Sequence, residues 1–238
     1  MLVPLTRQKF EQLIPLIATG PQYKYYWGKF PDLLQRFLIS VVSVAIVVIM
    51  KLIFKLDFGP IIFLLALIGA FYWLWGPVFW ASIRNAKCRR YKYSGFFRGR
   101  ILDWWITDQV LGKQETVNNR GELVIVENRE KRINLEVGDD TGFTAQMQAP
   151  LKVEYKAIAA GQRVEMLVMS NRTDLSQIED ISEIFIPSRE IWVNDYPYLR
   201  RDFFMEMSRR FRASPNGRSR RRQPREREPR RNREWDDD

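Results

Sequence analysis

Two apolar stretches separated by a few residues constrain this chain more than any other feature. Residues 37–56 read FLISVVSVAIVVIMKLIFKL, with charge only at Lys51 and Lys55 near one end, and residues 61–83 carry no charge. A helix rising about 1.5 Å per residue needs about 20 apolar residues to cross a bilayer, and both stretches meet that requirement. The pattern predicts two transmembrane helices, the alternative being two buried helices in a soluble core.

The short link between these stretches predicts a hairpin. Gly59 and Pro60 end the first helix and begin the second, so that the two helices run antiparallel. Basic residues lie outside both ends of the hairpin: Lys24, Lys29, Arg36, Arg84, Lys87, Arg89 and Arg90. Because cytoplasmic flanks are rich in Lys and Arg, we expect both termini on the cytoplasmic side of a bacterial inner membrane, or on the stromal side of a thylakoid.

Aromatic residues cluster on the same side, where Trp and Tyr rings favour the headgroup layer. The predicted membrane-interface anchors are Tyr25, Tyr26, Trp27, Trp73, Trp75 and Trp80. Residues 1–36 are predicted to be an amphipathic, interfacial segment. Its apolar helical face comprises Phe10, Leu13, Ile14 and Ile17. Docking of this face on the soluble domain is the alternative.

From about Tyr93 the hydrophobic period changes from helical to two, which predicts a β-rich cytoplasmic domain with a closing helix over residues 84–212. Alternation is clear in residues 132–137, 143–148 and 151–156, and further strands are expected at 99–106 and 122–127. Residues 164–169 are apolar on both faces apart from Glu165, as in a central strand. Turns are predicted at residues 128–131, 138–142 and 161–162, and such short connections favour a small antiparallel barrel-like or curled sheet. Asp174 is predicted to cap a short helix, and Asp195 a closing C-terminal helix.

The composition argues against an enzyme. The chain has no histidine and one cysteine, Cys88, which excludes His-based triads and the usual zinc sites. The triplet Asp140-Thr141-Gly142 resembles the aspartic-protease motif, but it occurs once, and Gly138 to Gly142 is a natural turn between strands. We therefore predict no catalytic residues, no cofactor and no metal.

Residues 213–238 form an arginine-rich tail, predicted to be disordered, in a chain of formal net charge +10. The candidate residues for binding anionic lipid or RNA, at the end of the closing helix and in the tail, are Arg209, Arg210, Arg212, Arg218, Arg220, Arg221, Arg222, Arg225, Arg230 and Arg231. A merely solvated tail is the alternative, since nearby acidic residues offset part of the charge.

The predicted fold is thus an α+β membrane protein: a two-helix hairpin (residues 37–83), a β domain, a C-terminal helix and a tail. In this layout it resembles the small two-span accessory factors that help build complexes in bacterial and photosynthetic membranes. We predict a non-enzymatic scaffold or assembly factor whose partners are the bilayer and a membrane protein complex. The alternatives are a tether that binds ribosomes, RNA or anionic lipid through the tail, and an accessory subunit of a transporter.

Overall fold

The computed structural model of the 238-residue chain describes residues 1–54, 59–117 and 123–213. The chain divides into a unit from Met1 to Arg201 and a second from Asp202 to Asp238. The prediction of disorder after residue 213 and most of the tail arginines lie outside the described residues.

Six helices occur in the described ranges. They are α1 (Arg7–Leu13), α2 (Gly20–Trp27), α3 (Phe30–Phe54), α4 (Pro60–Ala70), α5 (Tyr72–Cys88) and α6 (Arg201–Ala213). By length and composition, the segment Phe30–Ile53 of α3 is able to cross a membrane, with a mean hydropathy of 2.4 and 11% of its most apolar window buried in the protein. Its start is fixed by Asp32, whose carboxylate accepts a hydrogen bond of 2.8 Å from the Lys29 amide.

The predicted straight second span at residues 61–83 is not confirmed, because α4 and α5 meet at an angle of 78°. Two hydrogen bonds replace helical ones at this bend. The Trp73 amide donates to Ser40 Oγ at 3.2 Å, and the Trp75 indole donates to the Ile68 carbonyl at 2.9 Å. Since α4 has 11 residues, it spans only about 16 Å.

α3 and α4 lie against each other where a glycine allows close approach. A Cβ atom built on Gly69 would lie 2.9 Å from the Ser43 Cβ. Near the start of α3, the guanidinium of Arg36 donates to the carbonyl oxygens of Tyr26, at 2.6 Å, and of Trp27. Arg36 thereby binds the C-terminal carbonyls of α2, which are otherwise left without helical partners.

The strands form one antiparallel sheet. They are β1 (Leu2–Leu5), β2 (Tyr93–Val117), β3 (Leu123–Gly138), β4 (Thr144–Pro150), β5 (Arg163–Ser170), β6 (Asp180–Ile181), β7 (Ile184–Ile186) and β8 (Ile191–Val193). The order is β4-β3-β2-β5-β7-β8, with β1 paired to β2 and β6 to β5. Within the described ranges β4 and β8 do not pair, so the sheet is open and the predicted barrel-like closure is wrong.

Most of the predicted strands are present, with three corrections. Residues 128–131, predicted as a turn, continue β3 without interruption. Residues 151–156 do not form a strand, because Val153–Ala157 is a 3₁₀ helix. Asp174 caps a tight turn instead of a helix: its carboxylate accepts the Ser176 amide at 3.1 Å, and Leu175 adopts a positive φ of 54°.

The hydrophobic core lies on one face of the sheet, where Ile133, Leu135 and Val137 are fully buried as their alternation predicts. β5 is buried on both faces, as expected of a central strand. Its single carboxylate, Glu165, is buried and lies 3.0 Å from the guanidinium of Arg98 on β2. This pairing across the two strands explains how an acidic residue is accommodated at the centre of the sheet.

The N-terminal segment is part of the β domain. Its first residues form β1, which pairs with β2 from Leu2↔Phe97 to Leu5↔Ser94. In the predicted amphipathic face, Phe10, Leu13 and Ile14 are fully buried within the protein, whereas Ile17 is exposed. The buried part of this face is therefore docked on protein, as in the alternative interpretation.

Candidate functional site

The long hairpin of β2 and β3 extends beyond the rest of the sheet. β4 pairs with β3 only from Arg132 to Gly138, and β5 pairs with β2 only from Tyr93 to Arg100. Among the described residues, the segments 109–117 and 123–130 pair only with each other. We call these two segments the arm. At about 3.3 Å per residue, the arm is roughly 30 Å long, and both of its backbone edges are unpaired in the part of the chain described.

The arm exposes apolar side chains. Leu123 and Ile125 are 75% and 64% exposed, and Val110 and Leu111 are also exposed. Leu111 lies in a β-bulge, where the register shifts between Val110 and Gly112. Glu127 pairs with Arg129 at 2.8 Å and with Lys113 at 3.5 Å on the surface of the arm. Bulges and charges of this kind discourage indiscriminate edge-to-edge association between strands.

A buried pair of amides joins the apolar helices to the β domain. The side chains of Gln22 on α2 and Asn85 on α5 exchange hydrogen bonds of 3.1 and 2.8 Å, and both residues are fully buried. The Gln22 amide also donates to the carbonyl oxygens of Pro197, at 2.8 Å, and Tyr198, at 3.2 Å. α2, α5 and the segment after β8 are thus held at one point, which we call the amide junction.

An arginine surrounded by tyrosines lies next to the amide junction. The guanidinium of Arg84 is 4.1 Å from the ring centroid of Tyr196 and 5.2 Å from that of Tyr198, and its Nε donates to the Tyr198 hydroxyl at 2.9 Å. The Tyr25 ring packs edge-on against Tyr196 at 5.0 Å. Burial raises the pKa of Tyr198 to about 12, so this hydroxyl stays protonated at neutral pH.

A pocket of about 380 Å³ opens beside this cluster. Its lining combines aromatic, basic and acidic side chains from α2, α5 and the β domain: Tyr26, Trp80, Ile83, Arg84, Lys87, Cys88, Tyr91, Asp180 and Tyr198. The thiol of Cys88 is buried. Burial raises the pKa of Asp180, whose carboxylate accepts the Ile181 amide at 2.8 Å. Within the described residues, no cluster of potential metal ligands occurs.

Glu183 is a buried carboxylate near the end of the β domain. It accepts hydrogen bonds from the Asn194 side chain at 3.0 Å and from the Leu199 amide and Arg201 guanidinium at 3.3 Å. Burial raises its pKa to about 7, and Arg201 opposes the shift. Through these hydrogen bonds, Glu183 connects the strands β7 and β8 to residues 194–201. The sequence pattern did not indicate this structural role.

The Asp140 triplet lies in a turn between β3 and β4. Its neighbour Asp139 has the structural role: the carboxylate binds the Thr141 hydroxyl at 2.5 Å and the α-amine of Met1 at 2.6 Å. Although burial opposes the shift, these contacts lower the pKa of Asp139 to about 2. Gly142 closes the turn with a φ of 88°.

The predicted interface anchors fall into two groups. Tyr25 and Tyr26 contact Tyr196 of the β domain, at 5.0 and 5.8 Å between ring centroids. The four tryptophans surround the bend: Trp27 lies 6.2 Å from Trp73, Trp75 bonds to Ile68, and the Trp80 indole donates to the Tyr72 hydroxyl at 3.2 Å. The tyrosines are therefore part of the cluster around Arg84, a role that their sequence context did not reveal.

Three of the predicted tail arginines lie in the described part of the chain, on α6. Arg210 pairs with Glu206 at 2.5 Å, and Arg212 donates to Ser208 at 2.7 Å. Asp202 occupies the first turn and the arginines, including Arg209, the last turns, an arrangement that complements the helix dipole. The predicted sites at Arg218, Arg220, Arg221, Arg222, Arg225, Arg230 and Arg231 lie outside the described residues.

These features define an α+β protein with an open antiparallel sheet and one helix long and apolar enough to cross a membrane. Residues 3–220 match a protein family described as a family of unknown function (DUF8619), and the chain belongs to that family. Comparison with curated proteins and with solved structures finds no match.

Proposed function

We propose that this protein is a non-enzymatic, membrane-anchored scaffold or assembly factor. The arm carries this proposal, because it is the most extended feature of the β domain and has exposed apolar side chains beside unpaired backbone edges in its described residues. Such edges recruit an extra strand, and exposed leucine and isoleucine side chains supply the buried centre of an interface.

The anchor in this proposal is the α3–α4 hairpin, with both termini on the cytoplasmic or stromal side. α3 crosses the hydrocarbon, and α4, which covers only about 16 Å, returns alongside it where the bilayer is locally thinned. Because α5 is inclined to α4 by 78°, it lies along the headgroup layer. On α5 the exposed apolar side chains are Leu74, Phe79 and Trp80, and the exposed Lys87 near its C-terminal end can reach the headgroups with its amine.

The amide junction connects the anchor to the presenting domain. Gln22 and Asn85 are fully buried and reach the backbone at residues 197–198. A fully bonded buried amide pair favours one arrangement, since sliding or rotation leaves polar groups without partners. In the proposed function, this connection sets the position of the arm relative to the membrane and so selects which partner surface it reaches.

The experiment is affinity isolation of the full-length protein from native membranes in mild detergent. The arm variant carries Leu111→Thr, Leu123→Thr and Ile125→Thr, which remove apolar surface but retain strand-compatible residues. The control is Val153→Thr, at another exposed apolar position. Burying each leucine or isoleucine is worth about 1.5–3 kcal/mol before the costs of association, so we expect at least a tenfold loss of the partner with the arm variant.

Equal recovery of the membrane complex by the wild type and the arm variant contradicts the proposal. Ribosomes or RNA recovered in its place, and lost when residues after 213 are deleted, support the tether alternative. Recovery of a multi-span transporter through the arm supports the role of an accessory subunit.

A further inference from the structure

The pocket beside α5 brings two basic side chains onto a single helical face. Arg84 and Lys87 are three residues apart on α5, and both line the pocket together with Trp80 and Ile83. Residues at spacings of three, four and seven lie on one side of a helix. The pocket volume of about 380 Å³ is within the range of small-molecule sites, about 300–1,000 Å³.

The positive charge of the pocket is only partly compensated. The nearest carboxylate to Arg84 is Asp195, at 3.8 Å, and that carboxylate pairs more closely with Arg132, at 2.8 Å. Lys87 is exposed and forms no ion pair among the described residues. Asp180 is the acidic group in the lining, so two basic side chains face one carboxylate there.

Arg84 is held in a defined position for a ligand. Its guanidinium stacks on Tyr196 at 4.1 Å, and its Nε is bound to the Tyr198 hydroxyl at 2.9 Å. Fixing a long side chain in this way lowers the entropy lost when it binds a ligand. Tyr26 and Tyr91 add phenolic hydroxyls to the lining, which can donate hydrogen bonds to oxygen.

The surroundings of the pocket are apolar on one side. Trp80 belongs both to the lining and to the exposed aromatic face of α5 that includes Phe79. At the bend of the same helix, an apolar groove of about 390 Å³ is lined by Leu67, Ile68, Phe71 and Trp75. A ligand with a phosphate and an acyl chain matches a cationic pocket beside apolar surface.

We infer that this pocket binds the phosphate of an anionic phospholipid of the phosphatidylglycerol class. Arg84 and Lys87 bind the phosphate oxygens, and the tyrosine hydroxyls bind the remaining polar groups. The inference rests on the proposed position of α5 at the membrane surface and adds a lipid requirement to the anchor. It does not involve the arm or a protein partner.

The test measures the ligand that the protein retains. Delipidated full-length protein in detergent is incubated with phosphatidylglycerol, phosphatidylcholine or inorganic phosphate, and the bound ligand is measured by native mass spectrometry. The variant is Lys87→Gln and the matched control is Lys92→Gln, which removes the same charge at an exposed position outside the lining.

We expect the protein to retain phosphatidylglycerol at least fivefold better than phosphatidylcholine. A basic residue near an anionic lipid contributes about 1 kcal/mol, so Lys87→Gln should weaken retention of phosphatidylglycerol roughly fivefold, and Lys92→Gln should leave it unchanged. Equal retention by Lys87→Gln and the wild type overturns the inference. Binding of inorganic phosphate as tight as binding of phosphatidylglycerol also overturns it, because the ligand is then a free phosphate.

Failure of this inference is distinguishable from failure of the proposed function. A protein that binds its complex through the arm but shows no preference for phosphatidylglycerol has the scaffold function and lacks the lipid site. A protein that retains phosphatidylglycerol selectively but recovers no complex has the lipid site and lacks the scaffold function.

Discussion

Substitutions on the two sides of the amide junction are expected to differ in their cost to the free energy of unfolding. Replacing Asn85 with Leu removes the two hydrogen bonds shared with Gln22, but Gln22 keeps its bonds to the Thr19 amide and to the Pro197 and Tyr198 carbonyls. At about 1 kcal/mol for each lost bond, the expected cost is roughly 2 kcal/mol.

Replacing Gln22 with Met, which has a similar shape, should cost more. Four polar groups then lose the partners that they have at this point: the oxygen and the nitrogen of the Asn85 side chain, the Thr19 amide nitrogen and the Pro197 carbonyl. Each buried polar group left without a partner costs about 1–3 kcal/mol, so the expected cost is at least about 4 kcal/mol.

Thermal unfolding of the purified variants in detergent measures this difference. For a chain of this size 1 kcal/mol corresponds to about 2–4 °C, so Asn85→Leu should lower Tm by roughly 4–8 °C and Gln22→Met by at least roughly 8–16 °C. Gln12→Met is the matched control at an exposed position, and we expect a change within about 0.5 kcal/mol. The reasoning is refuted if Asn85→Leu is as damaging as Gln22→Met.

Three further variants test other parts of the fold. Gly99→Ala places a Cβ 2.3 Å from a backbone oxygen of the neighbouring strand, so chemical denaturation should show a loss above about 2 kcal/mol, whereas Gly112→Ala, in open space on the same strand, should be nearly neutral. Gly69→Val places a larger side chain against Ser43, so it should force α3 and α4 apart and speed proteolysis within the hairpin. Gly59→Ala is the control, because a Cβ at Gly59 meets open space. Glu183 has a folded-state pKa of about 7 against a usual 4.5, so the folded state binds its proton more tightly and stability should fall as pH rises through that window. The upper limit of this loss in unfolding free energy is roughly 3 kcal/mol. Glu183→Gln should remove the pH dependence of stability in this window, and an unchanged pH profile contradicts the raised pKa of Glu183.

The hydropathy and periodicity of the sequence were sufficient to predict the elements whose signal lies within one segment. The hydropathy of residues 37–56 predicted α3, and the apolar run at residues 164–169 predicted the central strand β5. The alternation at residues 132–137 also correctly predicted which side chains enter the core. In each case the signal lies within a single segment, so periodicity alone is informative.

The bend and the arm depend on contacts that a linear pattern does not contain. Gly69 lies two residues before Phe71, where the helix breaks, but one glycine in an apolar run does not predict a bend of 78°. Ser40 and the Trp75 indole supply hydrogen bonds from outside the helical ladder at this point. Residues 128–131 are polar and resemble a turn, yet they continue β3 because β2 offers a long partner strand. The amide junction joins residues 63 positions apart in sequence, and two isolated amides give no pattern from which to predict it.

The account depends most directly on the α3–α4 hairpin lying in a bilayer with its connection on the far side from the β domain. In a Cys88→Ser background, Gly59→Cys introduces a thiol where a Cβ meets open space, and Lys92→Cys introduces one at an exposed position at the start of the β domain. A membrane-impermeant thiol reagent applied to sealed vesicles of known orientation should label these two positions from opposite sides. Labelling of both positions from the same side without detergent contradicts the account.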